Sequence, residues 1–222
     1  MLLSLKVSAL VQGYRLHQQS SVYPDLIFHR LPLKMPQLQV GDQIPEGVKF
    51  NYIPIDLQQV HQEDALACAQ PLVFDLDKQL AKLDKDSNVL LVAVPGAFTP
   101  TCTENHIPPY LENLVKLKEE YNVALIIIVS TNDAFVLYAW AKLLLRDVKP
   151  TGKEPQVVFA SDGGAQFSQK FDLSVDATAR GMGIRTARYA IAFSKDRRVK
   201  YVGKEVDRSV RYSGVEAVVA KL

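Results

Sequence analysis

Continuous apolar runs recur through the second half of the chain and predict its strands. Residues 89–94 and 123–129 have the pattern of strands that are buried on both faces, and residues 157–160 form a shorter run of the same kind. Residues 189–193 and 199–202 are separated by a short polar segment, which indicates an antiparallel pair. The chain therefore contains at least five predicted strands.

Between these runs, apolar residues recur at helical spacing with charged residues between them. The predicted helices cover residues 104–121, 133–145, 166–171 and 214–222. Asn132 and Asp133 are both good N-caps for the second of them. The elements follow in the order strand, helix, strand, helix, then an adjacent strand pair and a last helix. This order predicts an α/β protein with a thioredoxin-like fold. Its core is a central mixed β-sheet flanked by helices.

Composition divides the chain into a short extension, residues 1–40, and one domain, residues 41–222. The first 34 residues contain four basic residues and one acid, Asp25. This composition is that of a weak transit peptide, and a disordered tail is an equally good interpretation. Across the chain, 26 basic and 24 acidic residues leave a net charge of +2 without a basic stripe, so no nucleic-acid partner is predicted. No apolar stretch approaches the ~20 residues of a membrane span.

The segment 95–102, PGAFTPTC, follows the predicted strand at residues 89–94 and leads into the predicted helix at residues 104–121. Cys102 is therefore expected in or beside the first helical turn, where unpaired N–H groups and the helix dipole stabilise a thiolate. A thiolate is the reactive form of cysteine, which makes Cys102 a candidate nucleophile. Thr99 can donate to that thiolate or accept from a substrate, and Pro95 and Pro100 constrain the loop.

These residues also carry a family resemblance. PGAFTPTC resembles the P-x-x-x-T-x-x-C active-site signature of the peroxiredoxins, specifically the type II (type-5) branch with its fungal alkyl hydroperoxide reductases and peroxisomal members. Residues 132–142, 159–173 and 188–193 are similar to the same branch, so the resemblance covers about residues 40–222. It implies a peroxidase that reduces hydrogen peroxide and alkyl hydroperoxides, in antioxidant defence and redox homeostasis.

Carried over to this chain, the resemblance makes Cys102 the peroxidatic cysteine, with Thr99 and Pro95 in its pocket. It makes Arg188 the cation that stabilises the thiolate and the charge on the peroxide oxygens. Arg185 is the competing choice, and Arg188 is preferred because it directly precedes the strand YAIAF. A guanidinium suits this role because it stays charged and presents several donors.

The implied reaction leaves a sulfenic acid on Cys102, which condenses with a second thiol. Cys68, in QEDALACAQP, is the other cysteine of the chain. In the fungal branch that the sequence resembles, a cysteine in this upstream segment is the resolving residue. The resemblance thus implies a Cys68–Cys102 disulfide, favours its formation between the subunits of a homodimer, and implies that thioredoxin, or alternatively glutaredoxin, reopens it. The spacing itself leaves an intrasubunit bond open, and a buried structural thiol is the alternative for Cys68.

His106 lies four residues after Cys102, so the two side chains can share a helix face. A general base is one interpretation of His106, but a packing role is favoured because an ionised thiol needs no base. The other histidines have no metal-ligand spacing, so no metal or other cofactor is predicted.

The final tripeptide Ala220-Lys221-Leu222 matches the small–basic–Leu pattern of peroxisomal import signals. A Lys at a helix C-terminus is also common for reasons of the helix dipole. The peroxisomal matrix is favoured over the cytosol, with the mitochondrion a lesser alternative.

Two other functions use the same thiol. A peroxide sensor or redox relay passes oxidation to a partner protein and turns over little peroxide itself. A general dithiol oxidoreductase is disfavoured, because Thr99 stands where a C-x-x-C pair would place its first cysteine.

Overall fold

Seven strands form one mixed β-sheet in the computed structural model of the protein, which describes residues 37–149 and 151–222. The described residues contain nine strands in all: β1 (Lys49–Tyr52), β2 (Leu72–Asp75), β3 (Asn88–Ala93), β4 (Val123–Ser130), β5 (Gln156–Ser161), β6 (Ser174–Asp176), β7 (Ile184–Thr186), β8 (Tyr189–Ser194) and β9 (Val199–Lys204). Their order in the large sheet is β2-β1-β5-β4-β3-β8-β9, and β6 pairs with β7 in a separate ribbon.

Helices lie on both faces of this sheet. They are α1 (Leu76–Ala81), α2 (Pro108–Glu112), α3 (Leu114–Tyr121), α4 (Ala134–Leu145), α5 (Gln166–Gln169) and α6 (Val215–Val219). A π-helix covers Thr101–His106, and 3-10 turns cover Val60–Gln62, Gly163–Ala165 and Thr178–Arg180. None of the helices in the described residues is long and apolar enough to cross a membrane.

The centre of the sheet has the predicted thioredoxin-like arrangement. Strands β3, β4 and β5 are parallel, whereas β8 is antiparallel to β3 and β9 is antiparallel to β8. Every residue of β3 is buried, because its side chains alternate between two apolar clusters on opposite faces of the sheet. Leu90 and Val92 belong to one cluster, and Val89 and Leu91 belong to the other.

The helix predicted over residues 104–121 is divided into three pieces. The π-helix ends at His106, α2 begins with two prolines, and α3 begins after Asn113. Proline has no N–H to continue a helical ladder but fits the first turn of a new helix, so Pro108 and Pro109 mark the first break. Asn113 marks the second break, where its side-chain amide donates to the carbonyl of Pro109 over 2.8 Å.

The helix predicted over residues 133–145 is confirmed as α4. Asp133 is its N-cap, and its carboxylate accepts from the N–H groups of Phe135 and Val136 at 2.9 Å each. This cap starts α4 close to the carboxyl end of β4, where the helix contacts the segment that follows β3.

The sequence patterns carried no prediction for the sheet edge formed by β1 and β2. Each of these strands has four residues and one fully buried aromatic side chain, Phe50 or Phe74. Such short half-buried segments give too little periodicity to be recognised. The segment that carries Cys68 lies between them along the chain.

The predicted extension falls almost entirely outside the described residues. Its composition, and therefore the transit-peptide interpretation, concerns residues 1–34, and the boundary at residue 40 stays a prediction. Within the described part, the chain is already in contact with the sheet at Gly41, whose N–H donates to the carbonyl of Val199 in β9 over 2.9 Å.

Candidate active site

Cys102 lies in the first turn of the π-helix, directly after the loop that leaves β3. Its side chain is completely buried and belongs to the apolar cluster beneath the helices, with Val94, Ala97 and Ile107. The N–H of Ile107 donates to the Cys102 carbonyl over 3.2 Å. The position in the first helical turn is the one that the sequence predicts.

A cavity of about 410 Å³ opens beside this turn. Its lining residues are Pro95, Thr99, Pro100, Thr101, Val175, Ala177, Arg180, Met182, Arg185, Ala187, Arg188, Glu205, Val206, Asp207 and Arg208. The structure thus brings Pro95, Thr99 and Arg188 to one cavity, together with the competing Arg185. Thr101, the residue before Cys102, lines the cavity, whereas Cys102 itself does not.

The hydroxyl of Thr99 donates to the carbonyl of Gly96 over 2.9 Å. A hydroxyl has one proton and two lone pairs, so in this conformation Thr99 accepts from any further partner. The turn is closely packed at Gly96, since a Cβ at this position would lie 3.2 Å from the Thr99 methyl carbon and would require that side chain to shift slightly. Of the two roles predicted for Thr99, this geometry favours accepting from a substrate.

The loop holds its shape with help from β4. The side-chain oxygen of Asn132 accepts from the N–H of Ala97 and from the hydroxyl of Ser130, each over 2.9 Å. Phe98 has a φ of 58°, a left-handed conformation that is rare for a bulky residue, and its ring is largely exposed. The loop is therefore a constrained structure, and strain of this kind is common at functional sites.

Arg188 is a buried arginine with an incomplete set of partners. The residue is 8% exposed, its Nη1 donates to Nδ1 of His106 over 3.1 Å, and its Nε has no hydrogen-bond partner. A buried N–H without an acceptor is costly. Arg188 also lines the cavity, so the positive charge of its guanidinium would stabilise an acceptor bound there.

His106 fixes the position of this guanidinium. Its Nε2 lies 2.9 Å from the carbonyl of Ser213, which can only accept, so Nε2 carries the proton and Nδ1 accepts from Arg188. Burial is the main cause that lowers the pKa of His106 to about 4; the hydrogen bond to Ser213 opposes this shift, and the charge of Arg188 adds to it. His106 is therefore neutral at physiological pH, with both ring nitrogens engaged.

Glu205 extends this network on the other side of Ser213. The Oε1 atom of Glu205 accepts from the N–H and hydroxyl of Ser213 and from the N–H of Tyr212, at 2.6–3.0 Å. Burial raises the pKa of Glu205, but these hydrogen bonds and one from Ser209 outweigh it and hold the pKa below its ordinary value. An ionised carboxylate thus anchors the loop whose carbonyl orients His106.

Arg185 lines the same cavity, but its hydrogen-bond donors have other partners than those of Arg188. Its Nε donates to the carbonyl of Met182 over 2.8 Å, and its Nη1 donates to the hydroxyl of Thr131 over 3.1 Å. These contacts join the β6–β7 ribbon to the end of β4. Of the two arginines, Arg188 has the buried donor without a partner.

Cys68 is exposed, in contrast to Cys102, and both thiols are free. Its Sγ lies 3.6 Å from the carbonyl of Leu66. The alternative of a buried structural thiol is therefore wrong for this conformation.

The segments that carry the two cysteines contact different faces of α4. On one face, the indole N–H of Trp140 donates to the hydroxyl of Thr103 in the π-helix over 3.2 Å. On another face, Tyr138 and Lys142 bond to the segment before Cys68. A helix turns about 100° per residue, which separates Tyr138 from Trp140 by about 200°. Helix α4 therefore supports both segments through side chains on different faces.

Metal-ligating side chains do not gather in groups of three or more among the described residues. The cavity itself offers the Thr99 hydroxyl, the guanidinium of buried Arg188 with those of less buried arginines, and the carboxylates of Glu205 and Asp207, and the Cys102 thiol lies in the adjoining helical turn.

Comparison with known proteins agrees with this geometry. A family model described as Redoxin matches residues 39–219. A Lipomyces kononenkoae protein, provisionally named a peroxisomal peroxiredoxin, is 44% identical over 82% of this chain and 99% of its own length. The chain belongs to the peroxiredoxins. Peroxiredoxin AHP1 of Chaetomium thermophilum is 36% identical over 85% of this chain and 96% of its own length.

Solved peroxiredoxin structures have the same fold. The reduced Prx3 of Vibrio vulnificus in complex with hydrogen peroxide has a TM-score of 0.63 and 27% identity, covering 84% of this chain and all of that one. The family match confirms the predicted type II peroxiredoxin with its thioredoxin-like fold, and this peroxiredoxin is an enzyme of the peroxidase class.

Sequence analysis missed the residues that orient Arg188 in this peroxiredoxin. His106 was considered only as a base or a packing residue, and the hydrogen bond to Arg188 joins residues 82 positions apart. Glu205 and Ser213 had no recognisable motif. The signal available was the spacing of His106 four residues after Cys102, which places the imidazole near the site without naming its partner.

Proposed function

We propose that Cys102 is the peroxidatic cysteine of this peroxiredoxin and that Pro95, Thr99 and Arg188 form its peroxide site. The observation that carries the proposal is that Arg188, a buried arginine whose Nε has no hydrogen-bond partner, lines the cavity beside the Cys102 turn. A peroxide oxygen can accept from this guanidinium, and the charge of the guanidinium favours both the thiolate and the oxygen that becomes negative during attack.

In the first step the Cys102 thiolate attacks the terminal peroxide oxygen in line with the O–O bond. An S–O bond forms and the O–O bond breaks, so sulfur loses two electrons and becomes a sulfenic acid that keeps the hydroxyl proton. The alkoxide that departs takes a proton from water and leaves as alcohol, or as water when the substrate is hydrogen peroxide. Thr99 accepts from the peroxide hydroxyl, because its own proton is already donated to Gly96.

In the second step Cys68 resolves the sulfenic acid. The Cys68 thiol attacks the Cys102 sulfur, an S–S bond forms, and the S–O bond breaks with release of water. Because Cys102 is completely buried, its helical turn has to open before the two sulfurs meet. The positions of the two segments on different faces of α4 favour a disulfide between subunits of a homodimer over one within a chain.

The third step returns both thiols. A thioredoxin dithiol supplies two electrons by thiol–disulfide exchange at the exposed sulfur and becomes oxidised itself. Glutaredoxin is the alternative reductant.

We place this cycle in the peroxisomal matrix. The support is the name of the Lipomyces kononenkoae relative and the tripeptide Ala220-Lys221-Leu222, in which Ala220 and Lys221 are exposed at the end of α6. A fluorescent fusion that carries the chain at its C-terminal end should enter peroxisomes, and the same fusion with one residue added after Leu222 should stay outside.

Steady-state consumption of hydrogen peroxide and of an alkyl hydroperoxide, with thioredoxin, thioredoxin reductase and NADPH, tests the proposed cycle. The wild-type protein should turn over many equivalents of peroxide. Negligible turnover, with oxidation passed instead to a partner protein, would favour the sensor or relay.

A further inference from the structure

Lys142 is a buried lysine whose ammonium group faces the segment that carries Cys68. The residue is 7% exposed, and its Nζ donates to the carbonyls of Asp64 and Ala67 over 2.9 and 2.7 Å. The ammonium also lies 4.7 Å from the ring centroid of Tyr138. It takes part in none of the salt bridges found among the described residues.

Burying an ammonium group is costly unless hydrogen bonds compensate for the lost water. Lys142 obtains that compensation from two main-chain carbonyls of one turn and from an aromatic face. Removing its donors would leave both carbonyls without this partner.

A second contact from the same face of α4 supports the arrangement. The hydroxyl of Tyr138 donates to the carboxylate of Glu63 over 2.5 Å. Desolvation, the hydrogen bond to Glu63 and the nearby charges together raise the pKa of Tyr138 to about 12, so the phenol keeps its proton and remains a donor. Tyr138 and Lys142 are one helical turn apart and hold the beginning and the end of the segment 63–67.

The segment itself is a compact turn. The N–H of Leu66 donates to the Asp64 carboxylate over 2.8 Å, and the N–H of Ala67 donates to the Asp64 carbonyl over 3.0 Å. Lys142 bonds to the first and last carbonyls of this turn, and Cys68 is the next residue. The place of Cys68 therefore depends on Lys142, whose two hydrogen bonds are to main-chain carbonyls of the preceding turn.

We propose that Lys142 is a positioning residue for the resolution step: it clamps the turn at residues 64–67 to α4 and so presents Cys68 to oxidised Cys102. The inference rests on the proposed role of Cys68. A loose turn would present the resolving thiol less often. The sulfenic acid on Cys102 would then persist longer, so that a second peroxide could oxidise it to sulfinic acid.

The test compares the full-length wild type with Lys142→Met, which keeps the aliphatic stem but removes the donors. Lys142→Arg is the conservative variant, and Lys116→Met alters an exposed lysine of α3 as a matched control. Hydrogen exchange measured by mass spectrometry on the peptide containing residues 63–68 reports the clamp. Rapid quenching after one equivalent of hydrogen peroxide reports Cys102 oxidation and disulfide formation separately.

In Lys142→Met, the amides of Leu66 and Ala67 should exchange faster, and the Cys68–Cys102 disulfide should form about tenfold more slowly. Sulfinic acid on Cys102 should increase at a given peroxide concentration, whereas the first oxidation of Cys102 should keep its rate. Lys142→Arg should restore much of the disulfide rate, and Lys116→Met should behave as wild type. A merely structural role would slow both steps or neither.

Three outcomes separate the possible failures. Unchanged exchange at residues 63–68 in Lys142→Met would overturn the clamp. Faster exchange with an unchanged disulfide rate would overturn its role in resolution. A wild-type protein that cycles with thioredoxin without a Cys68–Cys102 disulfide would overturn the resolving role of Cys68, and with it this inference, while faster exchange in the variant would still establish the clamp.

Discussion

The two cysteine segments of this peroxiredoxin contact different faces of α4, and the protein holds them in contrasting ways. Cys102 is completely buried beside a constrained loop and an arginine oriented by a hydrogen-bond network. Cys68 is exposed in a turn that Tyr138 and Lys142 hold to the helix surface. One region adjoins a cavity lined by fixed side chains, and the other has an accessible thiol.

This difference matches what each proposed step requires. Attack on a peroxide benefits from fixed donors in a site sheltered from water, because donors that are already in place need no reorganisation during the reaction. Resolution instead requires two sulfurs to come within bonding distance, so at least one segment has to move. The turn before Cys68 is held to α4 by Lys142, so the movement falls to the helical turn that buries Cys102.

Serine substitutions should separate the two regions most clearly. Cys102→Ser should abolish peroxide reduction, since a serine hydroxyl is not ionised near neutral pH. Cys68→Ser should complete one turnover at the wild-type rate and then stop, because no thiol remains to resolve the sulfenic acid. Single-turnover and steady-state peroxide consumption with thioredoxin measure the two effects, and continued cycling by Cys68→Ser would remove Cys68 from the mechanism.

Substituting the two cavity arginines should show which one acts in the first step. Arg188→Ala should slow the oxidation of Cys102 about 100-fold, the usual effect of losing one donor to developing negative charge. Arg185→Ala, the matched control, should have a much smaller effect, because its two observed hydrogen bonds are structural. A larger effect of Arg185→Ala on oxidation would exchange the two roles.

His106 should make the Cys102 region sensitive to acid. Burial lowers its pKa from an ordinary 6.5 to about 4, so the unfolded chain binds this proton more readily than the folded one. The stabilisation is fully present above pH 6.5 and is lost as the pH falls toward 4. The difference corresponds to about 3 kcal/mol of unfolding free energy at most.

Denaturant unfolding at pH 7 and at pH 4 checks this effect. Comparison with His106→Asn, which keeps an acceptor for Arg188, cancels the titration of carboxylates common to both proteins. The wild type should lose more stability than His106→Asn over this range. Equal losses would show that His106 is not responsible.

Thr103 should make the smallest difference. Thr103→Val leaves the indole N–H of Trp140 without its partner and should lower the unfolding free energy by about 1 kcal/mol. Because this contact ties the π-helix to α4, Cys102 should also be alkylated faster, whereas Cys68 should keep its alkylation rate. Thr103→Ser retains the hydroxyl and should behave as wild type in both measurements, and a changed rate at Cys68 would show that the two faces of α4 are coupled.

The fold was predictable where burial was complete. The apolar runs that became β3 and β4 have side chains packed on both faces, so their sequences contain little else. The N-cap Asp133 and the hairpin of β8 and β9 were also predicted, because each depends on residues close together in the chain. The edge strands β1 and β2 were not, since each buries a single aromatic residue.

The sequence by itself determined the chemical groups of the site and their local order: a strand, a constrained turn with Pro95 and Thr99, and a cysteine at the start of a helix. The resemblance to the peroxiredoxins added Arg188, which was preferred to Arg185 because it directly precedes a strand. Tertiary structure alone decided that His106 orients Arg188 and that Lys142 holds the turn before Cys68. These contacts join residues 75 or more positions apart, and only the packing of the sheet and helices brings them within hydrogen-bonding distance.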